Sequence, residues 1–354
     1  MDETRSRLLL NSFLLVFILL KELLFMHIPD NYLSPQTCAV VTTAMLPVWN
    51  RAIKKVKEEV TKAKIPLLGI GAAFSFLLMM FNVPLPGGTT GHAVGGTLLA
   101  ILLGPYSACI SVTVALLIQA LLFGDGGILA FGANSFNMAF ILPFLGYSVY
   151  RFIKNFVKTE KGEYLAIALG SYIGLNAAAL STAIMFGIQP LLFKNSAGQP
   201  LYNPYPLSVS VPAIMLPHLL VAGFVEAGFT VAIYSFIKKV SPGTLYEGAK
   251  EKTKALYGLI AALVLLTPLG LLASGTAWGE WGVDELSQVV SGGKILGYLP
   301  EGMKNGLSFK AVMPDYAISG LPDAAGYILS AVAGAALLTI IFKVLASENR
   351  QKKH

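Results

Sequence analysis

Long apolar runs separated by short polar segments are the main pattern along the chain. A helix needs about 20 apolar residues to cross a hydrocarbon core about 30 Å thick, and most of the runs approach or exceed that length. The runs cover residues 35–50, 65–83, 93–104, 106–123, 128–150, 164–193, 207–237, 255–273 and 323–342. We therefore predict an all-α polytopic integral membrane protein: a bundle of about seven helices, then a C-terminal two-helix hairpin with a large extracytoplasmic loop.

One run, residues 93–104, is too short to span a bilayer alone, and it ends at Gly104-Pro105. Interrupted backbone at membrane depth is tolerated where protein covers it. We expect a partial helix there, buried against its neighbours.

The composition excludes several classes of protein. Of the 354 residues, 55% are hydrophobic and 13% are charged, whereas soluble domains carry about 25% charged residues. A soluble enzyme, a disordered chain and a nucleic-acid-binding protein are thereby excluded. Cys38 and Cys109 both lie in apolar runs, which excludes a disulfide framework and a cysteine-ligated metal site.

Basic residues are concentrated in a few segments, which predicts the orientation of the spans. Nineteen of the 26 Lys and Arg residues lie in segments 51–64, 151–161, 238–254 and 343–353. Cytoplasmic loops carry an excess of such residues. We therefore predict a multi-pass membrane protein with the C-terminus in the cytoplasm. The mature N-terminus and the loop 274–322 then face outward.

The same pattern predicts the domain boundaries. Residues 26–240 form a membrane domain, residues 241–254 a polar cytoplasmic linker, and residues 255–354 a hairpin of two spans with an external loop. Residues 1–25 resemble a signal peptide but lack a small-residue cleavage site. Three interpretations are open: a cleaved leader with an atypical site, a retained anchor, or a misassigned start with Met26 as the initiator.

The sequence contains four histidines. Two of them, His218 and His354, are not predicted to lie at the outer face. His354 lies in a basic tail, where we expect it to be solvated. His218 and Glu226 lie in one span, about two helical turns apart. Ionisable groups at membrane depth usually face the bundle interior. Two roles are open for this pair: a structural interhelical hydrogen bond, or a coupling role linked to protons or to a metal site.

The other two histidines, His27 and His92, are both predicted to reach the outer face. If the mature chain begins at Met26, its free amine, the amide nitrogen of His27 and the imidazole of His27 can close fused chelate rings on one metal ion. His92 could supply the fourth nitrogen. Square-planar nitrogen sites favour Ni(II) or Cu(II) over Zn(II). The alternative is that His27 merely lies at the membrane interface near Tyr32.

Glycines recur every fourth residue beside His92. Gly87, Gly91 and Gly95 have the spacing that lets a second backbone approach a membrane helix closely. We expect another segment of the chain to dock on this stripe, next to the imidazole.

Several sequence blocks resemble one known family. The family is CbiM/NikM, the metal-capture components of energy-coupling-factor (ECF) transporters, a kind of ABC transporter, for nickel and cobalt. Residues 267–282, TPLGLLASGTAWGEWG, are similar to the fused NikN component, and the resemblance covers about residues 26–345. The blocks that carry it, in the family's order, are MHIPD (26–30), PGGTTGHAVGG (86–96), FGDGGILAFGANSFNMAF (123–140) and HLLVAGFVEAGFT (218–230).

The resemblance implies a metal permease component of a prokaryotic plasma membrane that is not an enzyme and holds no permanent cofactor. Its transported substrate is Ni²⁺, or else Co²⁺, bound by Met26, His27 and His92. Orienting groups around these ligands would be Asn134, Ser135, Asn137, Asp125 and Asp30. The family usually has Gly where this chain has Asn31, and we expect Asn to keep the turn because it tolerates a left-handed backbone.

The implied partners are a transmembrane coupling (T) component and two cytoplasmic ATPase subunits, besides the lipid bilayer. This chain has no phosphate-binding loop, since its one Gly-Lys pair, Gly293-Lys294, is followed by Ile295. Alternative functions are a cobalt importer for cobalamin biosynthesis, a facilitator that needs no ATPase, and a membrane metalloenzyme. The metalloenzyme would be built from His92, His218, Glu226 and Asp125.

Overall fold

The computed structural model describes residues 27–61, 64–86, 89–244, 253–273, 277–282, 286–287, 290–291 and 294–351. Met26, the leader at residues 1–25 and most of the predicted linker lie outside the described residues. We call residues 27–244 the N-terminal unit and residues 253–351 the C-terminal unit.

Seven helices form the described part of the N-terminal unit. Serine and threonine begin two of them: the Ser34 side chain accepts a hydrogen bond from the amide of Thr37, and Thr159 caps a later helix in the same way. Proline is fixed near the helical φ and opens the first turn of several others. The helices are α1 Pro35–Glu59, α2 Ile65–Met79, α3 Gly96–Leu103, α4 Pro105–Phe123, α5 Phe131–Phe156, α6 Glu160–Leu192 and α7 Leu207–Val240.

The C-terminal unit has two long helices joined by an irregular loop. The long helices are α8 Thr253–Leu272 and α10 Asp323–Gln351, and the loop carries the short helix α9 Glu301–Lys304. Two antiparallel hairpins, one in each unit, pair β1 Val83–Leu85 with β2 Thr89–Gly91, and β3 Val290–Ser291 with β4 Lys294–Ile295.

Six of the described helices are long and apolar enough to cross a membrane. They are α4 to α8 and the Asp323–Ser347 part of α10. The prediction of an all-α, multi-pass membrane protein is thereby confirmed. Helix α1 continues to Glu59, nine residues beyond the predicted apolar run, because its basic last part keeps the helical hydrogen bonds. Helix α3 is a partial helix of eight residues, as predicted.

Three of the long helices contain a π-helical segment. These segments are Gln119–Phe123 in α4, Ser135–Ile141 in α5 and His218–Ala222 in α7. A π turn holds an extra residue and is frequent at functional sites. Each segment contains a buried polar side chain, respectively Gln119, Asn137 and His218.

Close packing on glycine joins the two units. Gly69 of α2 lies against Phe342 and Thr339 of α10, where an added Cβ atom would be 3.0 Å from the Cβ atom of Phe342. Phe76 of α2 packs in the same way against Gly334 of α10. The small residues let α10 lie directly along α2, so the C-terminal unit is part of the same bundle.

The segment between α2 and α3 folds back into the bundle. Ser75, in α2, donates a hydrogen bond of 2.7 Å to the carbonyl of Val94. The expectation of a helical glycine stripe here was wrong. Gly91 ends strand β2, Gly95 has a left-handed backbone with φ of 72°, and Gly87 lies outside the described residues. The turn at Gly95, which a residue with a side chain rarely adopts, starts α3 and sends the chain away again.

Candidate metal centre

The fold brings His27 and His92 together in the interior, although 64 residues separate them in the chain. The two residues are 1% and 2% exposed. Their ring centroids lie 5.1 Å apart, and the ring planes are tilted by 34°. The main chain at His27 enters ahead of α1, and His92 follows strand β2 on the segment that folds back between α2 and α3. Two imidazoles are thus adjacent in a place that water barely reaches.

A buried carboxylate lies against His27. The Nδ1 atom of His27 is 2.5 Å from Oδ1 of Asp125, which is 2% exposed. The other ring nitrogen, Nε2, is buried and makes no hydrogen bond to any described residue. The second oxygen of Asp125 accepts hydrogen bonds from the hydroxyl of Tyr316 and from Nε2 of Gln119, the latter at 3.0 Å.

The main chain next to His27 is held from α5. Asn134 accepts a hydrogen bond from the amide of Ile28 at 2.8 Å and donates one to the carbonyl of Ile28 at 3.0 Å. The carboxylate of Asp30 accepts hydrogen bonds from the amides of Ile128 and Leu129. These bonds tie the segment that carries His27 to the loop that precedes α5.

The turn that follows has the backbone expected from Asn31. Its φ is 69°, in the left-handed region, which asparagine adopts more readily than most residues. The Asn31 side chain also exchanges two hydrogen bonds of 2.8 Å with the main chain of Leu307, in the loop of the C-terminal unit.

The segment that carries His92 is held from α7. The carboxyl group of Glu226 accepts hydrogen bonds from the amides of Val94 and Gly95, at 2.7 and 3.0 Å. The Nδ1 atom of His92 lies 3.1 Å from the carbonyl oxygen of Ala93. Burial, with the neighbouring His27, lowers the pKa of His92 to about 3. His92 is therefore a neutral imidazole at pH 7, the form that binds metal ions.

The remaining predicted orienting groups, Ser135 and Asn137, lie in the π segment of α5. Asn137 donates a hydrogen bond of 2.9 Å to Thr182, and the buried hydroxyl of Ser135 has no hydrogen-bond partner among the described residues. His218 lies in the π segment of α7 with Nδ1 2.7 Å from the carbonyl oxygen of Ile214. Of the five predicted orienting residues, Asp125 lies against the His27 ring, while Asn134 and Asp30 bind main-chain groups.

A small cavity adjoins His27. Its volume is about 60 Å³, which is enough to hold water. The residues that line it include Asn137 and His218, and also Trp278 and Glu280 from the loop of the C-terminal unit. Burial raises the pKa of Glu280 well above its usual value, and the charge of Asp125 adds to the shift.

Sequence reasoning missed two residues near the centre. Gln119 was visible only as a lone polar residue within an apolar run, while Tyr316 lies in a long loop with no motif that would connect it to His27. Among the described residues, no group of three or more His, Cys, Asp or Glu side chains is arranged to hold a metal ion.

Comparison with known proteins places this chain in a family. A family described as the cobalt uptake substrate-specific transmembrane region, CbiM, matches residues 27–244. A PDGLE domain matches residues 252–348. A solved crystal structure of a transition metal transporter is 59% identical, with a TM-score of 0.58, and the match covers 61% of this chain and 93% of that one.

Two relatives match nearly the full length. The probable fused nickel transport protein LarMN of Lactiplantibacillus plantarum is 50% identical over 332 residues, which cover 93% of this chain and 100% of the relative. The fused nickel transport protein NikMN of Rhodobacter capsulatus is 44% identical over 88% of this chain and 95% of its own length. The chain therefore belongs to the CbiM family, in its fused NikMN form, and is a membrane component for nickel or cobalt transport rather than an enzyme.

Proposed function

We propose that this protein captures Ni²⁺ in a square-planar site of four nitrogen atoms and passes it to ATP-driven import. The ligands would be the amine of Met26, the amide and imidazole nitrogens of His27, and the imidazole of His92. The observation that carries the proposal is the burial of His27 and His92 side by side, with Asp125 against His27. The fused nickel transport relatives favour nickel over cobalt.

The chemistry of the chelate assigns the ring nitrogen that binds. Only Nδ1 of His27 is close enough to its own amide nitrogen to close a six-membered ring with it. Since Nδ1 lies beside Asp125 in the structure, metal binding would exchange this carboxylate for the ion. A nickel ion with one deprotonated amide keeps a net charge of +1, and buried charges need a partner. Asp125 would remain next to the ion as its counter-charge.

The remaining parts of the proposal concern topology and energy. The end of the bundle that holds the two histidines would face outward, because the basic segments predict that the opposite end is cytoplasmic. Uphill import would need a transmembrane coupling component and two cytoplasmic ATPase subunits, as in energy-coupling-factor transporters. The mature chain would begin at Met26, because a peptide bond before Met26 would remove the amine ligand.

Nickel titration of protein that begins at Met26 tests this site. Low-spin square-planar Ni(II) is yellow and diamagnetic, so we expect a yellow, diamagnetic 1:1 complex. The complex should be lost in His92→Ala and in protein that carries one extra residue before Met26. His354→Ala, which alters a histidine of the basic C-terminal tail, is the matched control and should bind as the unaltered protein does.

Two results would contradict the ligand set. One is a mass spectrum of purified protein with an intact leader, together with undiminished nickel affinity. The other is a paramagnetic complex that persists in His92→Ala. Competition between Ni²⁺ and Co²⁺ in the same titration decides which ion is preferred, and uptake by cells that lack every ATPase subunit would refute the energy requirement.

A further inference from the structure

We infer that Tyr316, in the loop of the C-terminal unit, is a positioning residue of the metal centre that acts on His27 through Asp125. The inference rests on the proposed function, because it assigns a role at the same site. It means that the C-terminal unit contributes directly to metal capture, rather than serving only as a membrane anchor for the N-terminal unit.

The contacts that carry the inference form a closed group of four side chains. The Tyr316 hydroxyl donates a hydrogen bond to Oδ2 of Asp125. Nε2 of Gln119 lies 3.0 Å from that same oxygen and 3.0 Å from the Tyr316 hydroxyl. Both donors therefore hold Oδ2, which leaves Oδ1 directed at Nδ1 of His27. The carboxylate can neither turn nor withdraw without breaking one of these contacts.

Tyr316 is suited to act as the donor. It is 2% exposed, and burial raises its pKa well above the usual value, with a further contribution from the charge of Asp125. The side chain is accordingly a phenol that keeps its proton. A phenol beside a carboxylate makes a charge-assisted hydrogen bond, about twice as strong as one between neutral groups.

Contacts from both units hold Tyr316 in place. Its ring stacks on Phe123, with centroids 4.7 Å apart and an angle of 24°, and its carbonyl accepts a hydrogen bond from Ser330 of α10. The amide of Met313 donates to the carbonyl of Leu122 at 2.7 Å, which joins the loop to α4.

The backbone at this point is unusual. Asp315 and Tyr316 have φ values of 58° and 60°, in the left-handed region. Non-glycine residues adopt this region at a cost and keep it only where the surroundings determine it. The loop thus holds two residues in an unfavourable conformation, and that conformation delivers the hydroxyl to Asp125.

The size of the expected effect follows from the behaviour of groups that orient metal ligands. Removing such a group usually lowers metal affinity by about 10- to 100-fold. Tyr316 acts one contact further out than Asp125, so we expect the lower end of this range. Without the phenol, Asp125 would lose one of its two donors and would be held less firmly in its place as the counter-charge of the bound cation.

The test uses the full chain beginning at Met26, in detergent or lipid nanodiscs, with Ni²⁺ as the probe. For Tyr316→Phe we expect a nickel dissociation constant about 10-fold higher and a shifted visible absorption band. Tyr327→Phe is the matched control: it also removes a buried hydroxyl of the C-terminal unit, one that donates to the carbonyl of Met80 at 3.0 Å. It should bind as the unaltered protein does.

A second comparison separates positioning from a general loss of structure. In an Asp125→Asn background, adding Tyr316→Phe should change the dissociation constant by less than about twofold, because the two groups act in one chain of contacts. Gln119→Met removes the other donor and should resemble Tyr316→Phe, so the inference can still be tested if the tyrosine variant folds poorly.

The outcomes are distinguishable. If the unaltered protein binds no nickel, the proposed function fails and the inference fails with it. If the unaltered protein binds nickel and Tyr316→Phe binds equally well, the inference alone is overturned. Tighter binding in Tyr316→Phe would also overturn it, because the contact would then hold the ring away from the ion.

Discussion

His27 and His92 are supported in the same way, but by different chemical groups. In each case a buried side chain from a distant helix forms hydrogen bonds with the main chain one to three residues after the histidine. The side chain of Asn134 accepts a hydrogen bond from the amide of Ile28 and donates one to its carbonyl. The carboxyl group of Glu226 instead accepts hydrogen bonds from the two consecutive amides of Val94 and Gly95. Neither contact uses a ring nitrogen of its histidine, so both segments are held through the main chain rather than through the imidazoles.

The supports differ in what else they reach. The His27 side continues through Asp125 to Tyr316, and through Asn31 to Leu307, so it has two connections to the C-terminal unit. The side chain that supports the His92 segment, Glu226, comes from α7, within the N-terminal unit. The C-terminal unit also meets the strand that precedes His92, where the amide of Trp278 donates a hydrogen bond of 2.8 Å to the hydroxyl of Thr89. The two sides therefore differ in the target of the contact: on the His27 side it reaches Asp125, which lies against the ring.

Removing the hydrogen bonds that Glu226 makes next to His92 should have the largest effect on stability. Glu226→Ala leaves two buried amides without their acceptor, and each unsatisfied group costs about 1–3 kcal/mol. We expect the free energy of unfolding to fall by about 4 kcal/mol, measured by denaturant titration in detergent. Glu226→Gln keeps one acceptor oxygen and should lose about half as much. Equal stability of all three proteins would show that Glu226 supports nothing.

Removing the hydrogen bonds that Asn134 makes next to His27 should reduce stability by a smaller amount, but should reduce nickel affinity by a larger amount. Asn134→Ala frees the main chain at Ile28, and we expect about 2 kcal/mol of lost stability and about 10-fold weaker nickel binding. Both are measurable by denaturant titration and nickel titration. Asn137→Ala is the control, since its hydrogen bond goes to Thr182 instead. If Asn137→Ala weakens nickel binding more than Asn134→Ala, the comparison of the two supports is wrong.

A smaller effect should appear at Asp315, beside the residue that reaches Asp125. Burial, and then the charge of Asp125, raises the pKa of Asp315 to about 6. Because the folded pKa lies above the unfolded value, this group lowers stability as the pH rises from about 4 to about 6, and the loss is complete above that.

Asp315→Asn should remove that dependence. At pH 7 we expect the variant to be more stable by about 1 kcal/mol, less than the full shift implies because the side chain is partly exposed. This corresponds to a melting temperature about 2–4 °C higher. At pH 4 the difference should be smallest, and a constant difference from pH 4 to 7 would exclude the titration of Asp315 as its cause.

The smallest effect should come from the surface connection of Asn31. Asn31→Gly keeps the left-handed turn but loses two exposed hydrogen bonds to Leu307, worth about 1 kcal/mol together. Amide hydrogen exchange at residues 305–309 should become faster while nickel affinity is unchanged. Asn31→Ala should also strain the turn and be less stable than Asn31→Gly. A loss of nickel affinity in Asn31→Gly would mean that this contact, too, acts on the site.

Local patterns were sufficient to predict the spans. The run 106–123 became Pro105–Phe123, and the run 255–273 became Thr253–Leu272, because hydropathy over about 20 residues is decided by the bilayer rather than by tertiary contacts. The short run ending at Gly104 was recognisable as a partial helix for the same reason. The glycine spacing beside His92 was misleading, since spacing has its helical meaning only if the segment is a helix.

The pairings around the site could not be predicted. Glu226 drew attention because a carboxyl group at membrane depth is costly, but its partners are amides 131 and 132 positions away in the chain. The link between Tyr316 and Asp125 spans 191 positions. Such contacts depend on how the helices pack, which no local pattern specifies, and so Asp125 was only one of five candidates.

The three π segments have a consequence for how such a centre is gained or lost. A π turn accommodates one residue more than the α-helix around it, and one residue corresponds to about 100° of helix rotation. Deleting a single codon within Gln119–Phe123 would restore a regular helix, yet turn Gln119 away from Asp125 or shift everything after it. A deletion of one codon, which would not change the hydropathy pattern, would therefore separate a bundle with the proposed metal site from one that has the same spans but no such site.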